Sequence, residues 1–143
     1  MINNPALKSA GAILLSVLVA LLLLSAIEGI SAVLHPFPAD FDQTYESMAQ
    51  HVANYPAWVL FLLGGIGWGL TALAASFLAT RFGARRHPAH GMAIGILLVA
   101  AAAFNISMLP YPNWFVLVDV VLLPLGVYLG VILARAGTTA SSS

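Results

Sequence analysis

Long apolar stretches separated by short polar segments divide this chain into four parts, each ended by a proline cluster or an arginine. The first extends over about 9–34 and stops at His35-Pro36-Phe37-Pro38. Those prolines remove backbone donors and turn the preceding residues away from the helical region. The second, about 57–80, opens at Trp58 and closes at Arg81; the third, about 91–109, stops at Pro110-Tyr111-Pro112. The fourth, about 114–134, follows Trp114-Phe115 and ends before Arg135. Roughly 20 apolar residues, rising 1.5 Å each, match the hydrocarbon core of a bilayer. The expected fold class is therefore an all-α membrane protein, a four-transmembrane-helix bundle in one domain. Trp58, Trp114 and Phe115 sit where interfacial aromatics are expected.

The polar segment from about 35 to 56 predicts a further element. Asp42 is suited to cap a short helix with Tyr45, Met48 and Val52 on one face and Glu46, Gln50 and His51 elsewhere. This reads as an amphipathic helix in the first outer loop, resting on the membrane surface. The other connection, Gly83 to His90, reads as a tight basic turn suited to anionic lipid. The final residues, 137–143, are small and polar and read as a mobile end. The first stretch is too long for a secretory signal and lacks a clean cleavage site, so an uncleaved helix is expected.

Charge placement orients the bundle. All five basic residues fall on one side of the expected topology: Lys8, Arg81, Arg85, Arg86 and Arg135. Asp40, Asp42 and Glu46 fall on the other. Lys and Arg concentrate on cytoplasmic loops, so both termini are expected in the cytoplasm, in the inner membrane of a bacterium. The 143 residues are 61% hydrophobic and only 7% charged, which leaves no room for a soluble domain.

Composition also excludes several chemistries. A formal net charge of zero gives no electrostatic case for nucleic acid. The absence of cysteine excludes thiol exchange, thiolate metal sites and covalent haem. No two histidines fall at mid-membrane on facing helices, as a bis-histidine haem would need. Phosphate loops, nucleophile elbows and metalloprotease His-Glu pairs are missing from the sequence. The expectation is a non-enzymatic protein without cofactor or metal.

Three polar residues remain inside the apolar stretches. Glu28 lies seven positions before His35, about 10 Å below the outer end of its helix. Asp119 lies five positions after Trp114, about 8 Å deep by the same count, and Asn105 lies five positions before Pro110. All three fall at one level, and no lysine or arginine shares it. Asp119 shares a helix face with Gly126 and Gly130, and Asn105 a side with Ala101 and Ala102. The expected site is a polar pocket opening outward, with Ser31, Trp68, His35 and Tyr111 at its margin. Such a pocket suits a small cation, a proton or a polar solute. Intramembrane acids are functional by default, yet the same residues would also serve as interhelical glue in an accessory subunit of a larger membrane complex. His35, His51, Asp40, Asp42 and Glu46 form an outer polar patch with no diagnostic metal spacing.

Small residues recur four apart at Gly65 and Gly69, Gly91 and Gly95, and Gly126 and Gly130. They point to close helix packing inside the bundle rather than to a homo-oligomer face. Two Pro-aromatic-Pro elements, 36–38 and 110–112, fit either a duplicated hairpin or ordinary helix ends.

With Glu28 through His35-Pro36-Phe37-Pro38, Trp68-Gly69-Leu70 through Arg81, and Phe104-Asn105 through Pro110-Tyr111-Pro112-Asn113-Trp114-Phe115, the chain resembles an uncharacterised family of small four-span bacterial integral membrane proteins. The resemblance spans nearly the whole chain and implies no activity. It singles out Glu28, Trp68, Asn105 and Trp114. Its pattern carries a histidine where this chain has Tyr111, which weakens a metal or proton role there.

Overall fold

The computed structural model describes residues 4–136, so the end over 137–143 lies outside it. Every regular element among the described residues is helical. In chain order these are α1 (Pro5–Leu34), α2 (Tyr45–Ala53), α3 (Ala57–Phe82), a 3₁₀ turn (Ala84–Arg86), α4 (Pro88–Met108) and α5 (Asn113–Ala136). Four of them, α1, α3, α4 and α5, are long and apolar enough to cross a membrane.

Local chemistry explains the bounds. α1 starts four residues earlier than its apolar run. Asn4 caps it, accepting from the Ala6 amide, and Pro5 takes the first-turn position where no donor is needed. α4 repeats the device, with His87 accepting from Ala89 N–H ahead of Pro88. Thr44, not Asp42, caps α2: its side chain accepts from Ser47 N–H. The Asp42 carboxylate is instead occupied one step upstream, accepting from the backbone and hydroxyl of Thr44. Hydrogen bonds from Thr44 and Ser47 hold that carboxyl low, at about 2.

α3 is the hub, packing against α1, α4 and, most extensively, α5. Its seam with α5 is made by glycines. A methyl group on Gly126 would meet the Gly69 carbonyl oxygen, and one on Gly130 the Leu73 carbonyl oxygen. Gly91 sits equally close to Thr80 and Ser76, and the Ser76 hydroxyl donates to the Gly91 carbonyl at 3.2 Å. The small-residue pairs thus face inward, as expected of internal packing.

The core near the basic end is built from Ala20, Ala75, Ala79 and Ile94, with Ala12 and Ser16 continuing α1's inward stripe. Side chains this small let backbones close up there. α1 and α4 touch only sparsely, and α3, after a first α-helical turn over Ala57–Val59, runs as a π-helix over Leu60–Gly67 before turning regular at Trp68. A π-turn widens the helix, which is frequent beside functional sites.

The charges separate to opposite ends. Ser9, next to Lys8, meets the basic turn: His90 Nε2 lies 2.9 Å from its hydroxyl, which also accepts from Ala84 N–H at 3.4 Å. Arg85, Arg86 and Arg135 line one hollow at this end. Arg85 and Arg86 carry the turn with positive φ of 55° and 48°, while the neighbouring Gly83 does not. α2 and its acids lie at the other end.

Candidate functional site

Two cavities meet at Glu28, Trp68 and Asn105. The upper one, of about 260 Å³, lies beneath α2 and takes in Ser31, His51, Tyr55 and Tyr111. The lower one, of about 240 Å³, runs down the loose α1–α4 gap along Leu24, Leu98 and Ala101. Each alone falls a little below the range for ligand sites, roughly 300–1,000 Å³.

Glu28 falls at the flank of the stripe that Ala12, Ser16, Ala20 and Ser31 bury on α1. Its side chain therefore stands at the edge of the bundle contact, lining both cavities and exposed. Asn105 reaches the same junction from α4. Its Oδ1 is buried and has no hydrogen-bond partner. Among the described residues no hydrogen bond joins Glu28 to Asn105, and both line the two cavities. Trp68, at the point where the π-turn ends, stands between them with its ring edge-to-face on Phe115, centroids 6.0 Å apart.

Asp119 is placed differently. It is 1% exposed, on the buried face of α5 with Phe115, Leu123 and Gly126, and lines neither cavity. Both of its oxygens lack a hydrogen-bond partner. Phe115 and Leu123, one turn to either side of Asp119 on that face, line the upper and lower cavities respectively. Of the three polar residues expected at one level, Glu28 and Asn105 line both cavities, and Asp119 is buried on a face whose neighbouring residues line them.

The roof is aromatic. His35 and His51 stack at 4.3 Å, Phe37 stacks on the opposite side of His51 at 4.3 Å, and His35 lies 4.5 Å from Tyr55. His35 Nε2 lies 3.2 Å from the His51 carbonyl oxygen, and Tyr55 and Ser31 share a hydroxyl–hydroxyl bond. His51 is buried, and burial first, then the neighbouring His35, lowers its pKa. Of the face expected to be apolar on α2, Val52 is buried and Met48 lines the upper cavity, while Tyr45 is exposed; His51, expected elsewhere, is buried.

Tyr111 closes one wall of the upper cavity, stacked on Phe115 at 4.9 Å. Its pKa is raised, chiefly by burial and then by Glu28, Tyr55 and Asp119, so its phenol stays a donor. Trp114 is half exposed and lines neither cavity. No group of three or more His, Asp or Glu side chains suited to a metal occurs among the described residues. Tyr55, His51 and the lower wall of Leu24, Thr71 and Leu98 are the site residues that sequence reasoning missed. Only the polar character of Tyr55 and His51 in an otherwise solvated loop hinted at them. Comparisons with known protein families, curated proteins and solved structures return no match for this chain.

Proposed function

We propose that this chain is a four-span protein of a bacterial inner membrane with both termini in the cytoplasm. Its Glu28–Trp68–Asn105 chamber binds a small cation, a proton or a small polar solute entering from the α2 side. Such a protein is transport-like or ligand-binding, and not an enzyme. The observation that carries this reading is the pair of cavities meeting at an acid and an unpartnered amide oxygen. A buried acceptor without a donor costs free energy unless a ligand or water supplies one. The charge separation supports the orientation, and the sequence resemblance to small four-span membrane proteins agrees with it.

The rival reading is an accessory subunit of a larger membrane complex, or a homo-oligomer. It draws on an almost wholly apolar groove of about 520 Å³ between α4 and α5, lined by Gly95, Ala103, Pro124 and Tyr128 among others.

Glu28→Gln separates the two. In a binding site it abolishes uptake or ligand protection and leaves folding intact. If Glu28 is glue, Gln is tolerated, and Glu28→Ala lowers the melting temperature in detergent without changing any ligand response.

A further inference from the structure

The chamber is chemically one-sided. At its junction stand a carboxyl group, a buried amide oxygen without a donor, and an indole ring: Glu28, Asn105 Oδ1 and Trp68. Each is attracted to a positively charged N–H group, through an ion pair, a hydrogen bond or the ring face respectively. Countercharge from within the chain is remote. Lys8 neighbours Ser9, which bonds the basic turn, Arg85, Arg86 and Arg135 line the hollow there, and Arg81 lies in the last turn of α3 beside it.

Below that junction the chemistry changes within one helical turn. Leu24, Leu98, Ala101, Ala102 and Leu123 line the lower cavity, with Thr71 already committed to the Gly67 carbonyl at 2.9 Å. This wall offers a hydrated inorganic ion nothing, and it offers an alkyl or aryl group apolar surface. The α1–α4 gap that opens it is flanked by side chains exposed on the outer face of the bundle, including Leu21, Leu97 and Phe104.

Resting on the reading of the chamber as a binding site, we infer that its ligand class is a protonated organic amine with an apolar body. The ammonium group sits at Glu28, Asn105 and Trp68, and the hydrocarbon part lies along the lower cavity toward the α1–α4 gap. Both halves of the chamber are then filled by one molecule. An inorganic cation fills only the upper half, and a neutral alcohol of the same length leaves the acid uncompensated.

The test uses the full chain in lipid nanodiscs, with Trp58→Phe and Trp114→Phe leaving Trp68 as the sole indole of the three. Trp68 emission is titrated with octylamine, methylammonium and octanol, against empty nanodiscs. The expected result is saturable octylamine binding at least about tenfold tighter than methylammonium, with no saturable octanol response. Glu28→Gln should weaken octylamine about tenfold or more, since it removes the ion-pair partner of the ammonium group. Ala101→Phe, which fills the lower cavity, should weaken octylamine and leave methylammonium unchanged.

Methylammonium binding as tightly as octylamine overturns the amine-with-body inference and leaves the polar-site reading standing. Octanol binding as tightly as octylamine also overturns it, because charge would then count for nothing. Binding of none of the three, with the wild-type protein folded, overturns both readings. The ligand series is read on the unmutated site, so failure of any site variant to fold does not affect it.

Discussion

Glu28 and Asp119 are the same chemistry in two different situations. Glu28 lines a chamber and is exposed, while Asp119 is buried on α5 with both oxygens unpartnered. Its surroundings give the Asp119 carboxyl no hydrogen bond that an amide of the same shape would lose. Its amide isostere should therefore fit. Asp119→Asn is expected to leave the melting temperature and cation binding close to wild type, checked by thermal unfolding in detergent and by the Trp68 titration. Ser31→Ala should cost about 1 kcal/mol of stability, the usual net worth of one hydrogen bond. It frees the Tyr55 hydroxyl beneath the roof, which a denaturation series on the purified protein would report.

At this scale the sequence was informative about depth and poor at direction. Counting from the prolines put Glu28 and Asn105 at one level, because helix rise is fixed. The burial of Asp119 with Gly126 and Gly130 was also legible, as a shared helix face. Which neighbour that face meets was not, since it depends on how helices far apart in sequence pack. The roof was hidden for a similar reason. Nothing local says that His51 stacks between His35 and Phe37.

Among the elements, the α3–α5 seam tolerates the least. Gly126 abuts the Gly69 carbonyl, which is backbone and cannot swing aside. Gly126→Ala should cost about 1–3 kcal/mol by overpacking, and Gly126→Leu should prevent assembly. Gly29, with open space around it, should accept alanine without loss. Parallel melting curves of the two alanine variants make the comparison.

α2 carries a pH prediction. Burial and His35 lower the His51 pKa below its ordinary 6.5, so the docked helix holds this ring neutral. The docked state then binds fewer protons than the undocked one, and its stability rises with pH. Docking is complete above the ordinary value and weakens as pH falls through it toward the lowered one. His35 from the end of α1 and Tyr55 ahead of α3 face the ring, and Asp40 lines the same outer hollow. A spin label at Gln50→Cys should become more mobile below about pH 6, and His51→Phe should remove that change. Equal mobility at pH 5 and pH 8 in the unmutated roof would rule the mechanism out.

The four long helices were legible because apolar run length is a property of sequence alone. Their starts shifted outward wherever a cap and a proline cooperate, at Asn4-Pro5 and His87-Pro88. The π-turn over Leu60–Gly67 was not legible, since its i to i+5 bonding leaves no pattern beyond a local richness in glycine.

On the scale of the whole molecule, two halves emerge. Alanine and serine close the end that carries the arginines; the end that carries α2 and the acids holds the chamber. On the proposed reading, a molecule so divided admits solutes from the α2 side only. Because the natural chain has no cysteine, single thiols can be introduced without removing any other. The most direct test is the reaction of Glu28→Cys, in intact cells, with a membrane-impermeant thiol reagent. Gln50→Cys on α2 serves as the exposed control and Ser16→Cys in the closed half as the buried one. The account predicts that positions 50 and 28 are modified and position 16 is not. A thiol at 28 as inert as the one at 16, in a protein still labelled at 50, would mean that no path leads to the chamber and would contradict the account.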